Sequence, residues 1–152
     1  MGRSLYLRVV FGIRSEIGEN PWDRTEDFDG DYVEWWRSLK GFQPIFCPYD
    51  EQGNYRKSIS EGDPRIAAYH AERRAWDEAN PIPFDTQADG EPDSDEIFIC
   101  APDRPRFYDS VELTKVVQDA KIEPGVETAF RSFLKEYYGD VEPTWWLVPF
   151  YG

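Results

Sequence analysis

An amphipathic helix pattern runs straight into an aromatic strand pattern between Pro124 and Tyr151, and this is the best-defined stretch of the chain, around which the rest is expected to pack. Val126, Ala129, Phe130, Phe133, Leu134 and Tyr137 recur at three- and four-residue steps, which place their side chains on one face of an α-helix. That face has to be covered. Gly139 supplies the stop, because a residue without Cβ accepts the left-handed conformation in which helices commonly end. Thr144, Trp145, Trp146, Leu147, Val148, Phe150 and Tyr151 then give the β-branched and aromatic run of a strand that is buried on at least one side. The run predicts a central or near-central strand, with Pro149 withdrawing one ladder donor and drawing that end towards an edge.

Earlier elements follow from the same rules. Leu5 to Ile13 reads as a buried opening strand with Gly12 near its end. Glu16 to Gly30 has turn signals at Gly18, Asn20-Pro21 and Asp29-Gly30 and no period, so it is expected to be a long loop. Asp31 is placed to cap a helix carrying Tyr32, Trp35, Trp36 and Leu39 on one face, with Glu34 three residues on and Gly41 closing it. Gln43 to Tyr49, interrupted by Pro44 and Pro48, is expected as an edge strand, with Tyr55 to Ile59 as its partner. Asp63-Pro64 starts another helix that runs to about Asn80, where Pro81 and Pro83 forbid continuation. Its stripe of Ala68, Ala71, Ala75 and Ala79 is expected to lie close against a support. Phe84 to Ser94 reads as a second acidic loop, Glu96 to Ala101 as a strand, and Ser110 to Lys121 as a helix capped by Asp109 or Ser110. Together these blocks predict one α+β domain over residues 1–152, with a mixed or mainly antiparallel sheet of about four to five strands packed against three to four helices.

At 152 residues the chain is long enough to bury a core, and six Trp, nine Tyr and ten Phe can fill it. The apolar runs are too short for a membrane span, and the N-terminus lacks a signal-peptide pattern, so the expectation is a soluble cytoplasmic protein with no membrane partner. Cys47 and Cys100 both sit in apolar stretches and are expected as reduced core thiols.

Charge is concentrated. Glu16 to Glu34 carries eight acids against Arg24 alone, and Asp85 to Glu96 carries six acids and no base. These two segments account for the whole net charge of −13, since the rest of the chain has sixteen acids and sixteen bases. Such segments repel nucleic acid and anionic membranes and attract cations or a basic protein surface.

Within the second segment, Asp85, Gln87, Asp89, the Glu91 carbonyl, Asp93 and Glu96 stand at the ligand spacings of a twelve-residue calcium loop, with Gly90 at the turn. The stretch resembles the EF-hand family over those residues only. That resemblance implies a possible calcium cofactor, although Pro81 and Pro83 break the helix that should enter. Asp23, Thr25, Asp27, Asp29, Asp31 and Glu34 give a poorer version, with Phe28 where glycine belongs. Paired carboxylates could also serve a hydrolase. A single histidine, His70, excludes multi-histidine zinc sites and is expected at the surface or a boundary. No phosphate-binding glycine motif or nucleophile elbow occurs, and no catalytic residue is assigned.

The leading expectation is a non-enzymatic binding or inhibitory module. Its acidic residues would engage a basic protein, such as a nuclease or nucleic-acid-binding protein, by standing in for phosphates. Small acidic immunity proteins and phage-type inhibitors are similar in charge and size. The predicted contact residues are Trp22, Asp23, Glu26, Asp27, Phe28, Asp29, Asp31, Glu34, Trp35, Phe84, Asp93 and Asp95, the aromatics acting as apolar anchors. In each of the pairs Trp35-Trp36 and Trp145-Trp146, one member is expected to lie away from the main core.

Overall fold

The computed structural model describes residues 5–24, 26–28, 30–88, 90, 93–102, 107–109 and 112–151. In chain order the elements are β1 (Leu5–Glu16), α1 (Tyr32–Leu39), α2 (Pro64–Ala79), β2 (Asp85–Ala88), β3 (Glu96–Cys100), β4 (Phe107–Asp109), α3 (Leu113–Asp119), α4 (Pro124–Tyr138) and β5 (Thr144–Tyr151). The fold is α+β, with an antiparallel five-stranded sheet. Contacts divide the chain into two compact units, residues 1–30 with 83–152 and residues 31–82.

The first unit holds the sheet, and β1 is its middle. One edge of β1 pairs with β5 from Leu5↔Tyr151 to Gly12↔Thr144. Its other edge must then take both remaining partners, β4 from Tyr6↔Asp109 to Arg8↔Phe107 and β3 from Gly12↔Cys100 to Glu16↔Glu96. β2 pairs outside β3. Because β5 has β1 as its only strand partner among the described residues, it is an edge strand and not the central one its composition suggested. The apolar run of β1 has the better claim to the centre: its residues from Val10 to Ile13 are buried on both faces of the pleat. On one face Val10, Phe98, Cys100 and Val148 form a buried cluster against which Trp146 packs. On the other, Phe11 meets Phe130 of α4 edge to face at 6.3 Å.

Helix α4 forms as its pattern requires. Phe130, Phe133 and Leu134 are buried, and Gly139 ends the helix with φ of 75°. Ala129, although in phase, is exposed. In α3, Val116 is buried, and the Tyr108 hydroxyl donates to Asp119 at 3.1 Å. Glu112, and not Asp109, takes the cap position, without a side-chain bond there, and its carboxylate accepts from the Asp109 amide at 3.0 Å. Ser110 lies outside the described residues. The second acidic stretch is also not all loop, because residues 85–88 form β2 along β3. Both thiols are free. Burial pushes that of Cys100 up to about 12, aided by the neighbouring Asp85 charge.

In the second unit, the Asp31 carboxylate accepts from the Val33 and Glu34 amides, both at 3.0 Å, and so caps α1. Asp63 caps α2 by accepting from the Arg65 amide at 2.9 Å. The stripe of Ala68, Ala71, Ala75 and Ala79 faces solvent, against expectation. The half-buried face is that of Ile66, Tyr69, Arg73, Trp76 and Asp77, where aromatic area outweighs the closer approach that alanine allows. Phe42 meets Trp76 at 5.3 Å and Tyr49 meets Tyr69 at 5.8 Å. The two strands expected over 43–49 and 55–59 reduce to one antiparallel bridge, Tyr49↔Tyr55, since Pro44 and Pro48 leave too few donors for a ladder. Both Trp35 and Trp36 are buried, so neither stands clear of the core as the paired pattern suggested.

Candidate acidic interaction surface

The loop after β1 is built around a buried amide. Asn20 is fully enclosed, and each of its side-chain bonds is made. Its Oδ1 accepts from the Ser15 hydroxyl and the Tyr138 hydroxyl, both at 2.8 Å. Its Nδ2 donates to the Glu16 carbonyl at 3.1 Å and to Asp23 at 3.0 Å. Enclosure and the nearby Asp23 charge raise the Tyr138 phenol, which keeps it a donor. Asp23 also accepts from the Gly18 amide at 3.0 Å and the Asn20 amide at 3.2 Å. This acid is therefore spent inside the loop.

Trp22 fixes the loop from its other side. At 2% exposed it stacks on Phe84 at 5.3 Å, and Phe84, at 0%, stacks on Phe133 at 4.1 Å. Trp22 and Phe84 are thus core and not surface anchors. The same correction holds for Trp35 at 7%. An aromatic side chain removes more water-exposed area in such a stack than a solvated patch would allow it.

The acids of the second unit also have internal partners. Arg37, itself buried, donates to Asp77 through Nε at 2.8 Å and Nη2 at 2.6 Å, and to Glu34 at 2.9 Å. Arg73 joins Glu34 from α2. The Arg37 hydrogen bonds hold Asp77 below the usual carboxylate range, against the opposing effect of burial. Asp31 is consumed as the α1 cap. Neither Asp31 nor Glu34 is a free contact residue, because helix ends and a buried guanidinium both demand acceptors.

What remains outward lies at one end of the sheet. The β1–β3 register sets Glu16 opposite Glu96, and the Ile17 amide continues the ladder by donating to the Asp95 carbonyl at 2.7 Å. The two acidic segments, about 80 residues apart in sequence, are joined there by backbone pairing. Arg14, Ser15, Glu16, Glu19 and Glu96 line a shallow groove at this end. Arg14 reaches Glu96 at 2.5 Å. Asp93 and Asp95 are exposed in the segment leading into β3, and Ile17, next to Glu16, is 57% exposed. Glu26 and Asp27 are exposed on the loop, with Phe28 half-buried. Glu16, Ile17, Glu19 and Glu96 are absent from the predicted contact set, Glu96 having been expected only as a calcium ligand. The signal that would have found them is the register of β1 against β3, which local patterning does not reveal.

The calcium-loop spacing does not survive folding. Asp85 and Gln87 lie in β2, where Asp85 sits opposite Cys100, while Glu96 begins β3 and sits opposite Glu16. Four strand positions, roughly 13 Å, separate the first and last ligands that a calcium loop brings to one ion. Arg8 lies 3.8 Å from Asp85, and Arg14 holds Glu96. Asp89 and Glu91, like Asp29 of the first segment, lie outside the described residues. Among the described residues no group of three or more His, Cys, Asp or Glu side chains is placed to hold a metal ion. His70 is exposed, with the Tyr49 hydroxyl 3.0 Å from its Nε2.

Among the described residues no helix is long and apolar enough to cross a membrane. No family model matches the sequence, and comparison with curated proteins and with solved structures returned no match.

Proposed function

We propose that this protein is a non-enzymatic binding module whose acidic sheet end engages a positively charged protein surface of the kind that ordinarily holds nucleic acid. One observation carries this reading: the Glu16↔Glu96 register, extended by the bond from Ile17 to Asp95, brings carboxylates from two distant segments onto one backbone ladder. Carboxylates spaced along a backbone ladder offer a basic groove the charge it has evolved to take from phosphates. Ile17 gives the patch an apolar contact that charge alone lacks. Small acidic inhibitors and immunity proteins are comparable only in type.

A carboxylate hydrolase is the weaker reading. Glu16 and Glu96 face each other, but neither is buried, and Glu96 is tied to Arg14. The pair lacks the apolar enclosure that would keep one carboxyl as a proton donor.

The test is capture from a host lysate on immobilised wild type and on a Glu16→Gln/Asp95→Asn/Glu96→Gln variant, at about 50 mM and 500 mM salt. The expected result is a basic protein held by wild type at low salt, released at high salt and absent from the variant. Each captured nuclease is then assayed for inhibition. Equal recovery by both baits would remove this surface from the binding role.

A further inference from the structure

The eight residues of β5 include no charged side chain, in a chain where 31% of residues are charged. Only β1 pairs with β5 among the described residues, so its outer edge offers unpaired ladder groups. Natural edge strands are usually guarded by lysines, inward charges or prolines, and here the single guard is Pro149 near one end. Trp145 and Leu147 project from the same face of the strand and are 37% and 45% exposed. Trp145 rests on Phe11 at 5.2 Å.

We propose that this edge pairs with the same edge of a second copy of the chain, antiparallel, in the register that sets Trp146 opposite its own counterpart. That register makes a ladder from Thr144 to Val148 and leaves Pro149, which has no N–H to give, beyond its end. It also sets Trp145 directly across from Leu147 of the second copy, and Leu147 from the second copy's Trp145. Both exposed apolar residues are then covered by one symmetric contact.

Charge distribution favours a second copy as the occupant. A protein of net charge −13 resists self-association unless the meeting surface is neutral and the acids are kept apart. Trp146 pairs with Val10, and the acidic end begins six positions further along β1 at Glu16. In the two-fold arrangement the acidic ends point in opposite directions. They stand roughly 20 Å either side of the centre, so about 40 Å apart, several times the Debye length of about 8 Å. The contact is smaller than a standard interface, so the dimer should be concentration-dependent. This inference is independent of the binding role proposed above.

Analytical ultracentrifugation of the full chain tests it. The apparent mass should climb from the 17.8 kDa chain towards twice that value between about 1 µM and 500 µM. Leu147→Asp should stay monomeric with an unchanged far-UV circular dichroism spectrum. Should that variant not fold, Leu147→Thr keeps strand propensity and is expected to weaken the dimer at least about tenfold. Ile45→Asp, which alters a side chain 94% exposed in the second unit, should dimerise as wild type does. A wild type monomeric at 500 µM, a folded Leu147 variant that dimerises as before, or dissociation by Ile45→Asp would each overturn the proposal.

Discussion

Glu16 stands opposite Glu96 in the last antiparallel pair between β1 and β3. Like charges directly across a ladder repel, typically by a few tenths to about 1 kcal/mol, and Arg14 relieves only one side of this pair. Glu16→Gln is therefore expected to stabilise the protein by about 0.3–1 kcal/mol while weakening capture of a basic partner. Urea midpoints together with salt-dependent capture would check both halves. A destabilised variant would show that repulsion is not what this pair costs.

Asn20 ties the acidic loop to α4 through Tyr138 and to β1 through Ser15. Replacing it by alanine strands several buried polar groups, so Asn20→Ala should cost about 2–3 kcal/mol. Tyr138→Phe removes one bond and should cost about 1 kcal/mol. Hydrogen exchange at the Gly18 amide and at the amide of position 20 should quicken in both variants, more in the first. Unchanged protection would mean that Trp22 alone holds the loop.

Gly12 lies where β1 and β3 approach closely. A Cβ built there would lie 2.0 Å from the Ile99 carbonyl oxygen and 2.8 Å from the Cys100 Cα, and neither backbone atom can step aside alone. Trp146 Nε1 also donates to the Gly12 carbonyl at 2.9 Å and fixes its position from the β5 side. Gly12→Ala is expected to cost about 2–4 kcal/mol, measured by thermal or urea unfolding. A loss below about 1 kcal/mol would mean that the sheet can part there at little cost.

Asp77 titrates below its unfolded value of about 3.9 because Arg37 hydrogen-bonds its charged form. Its contribution is present above about pH 4 and is lost as pH falls through the lowered folded value. Asp77→Asn should cost about 1–2 kcal/mol at pH 7, a figure reduced for the partial exposure of Asp77. The gap to wild type should narrow between about pH 4 and pH 2. Urea midpoints across that range are the measurement, and a gap of constant size would exclude Asp77 ionisation as its source.

Local pattern was enough wherever a segment's own side chains choose its conformation. Asp31 and Asp63 cap helices where their spacing placed them, Gly139 ends α4, and the 3.6-residue period of Phe130, Phe133 and Leu134 marks the buried face. It failed where two conformations share one composition. The apolar runs of β1 and β5 look alike, and only pairing made one central and the other an edge. The alanine stripe of α2 was in helical phase, yet the neighbouring aromatics won the packed side because they remove more area from water. Calcium-ligand spacing presumes a loop, and pairing with β3 straightened residues 85–88.

The chain alone determined its helices, most of its strands, the α+β class and the placing of its surplus charge in two segments, all matters of local propensity and count. Beyond the helix caps, folding decided what these acids do. Asp23 closes a loop, Glu34 and Asp77 satisfy a buried arginine, and Glu16 and Glu96 are left facing outward together. The reason is that a carboxylate's role depends on the donors within about 3 Å of it, and for Glu34, Asp77 and Glu96 those donors include an arginine of another element that only the fold brings near.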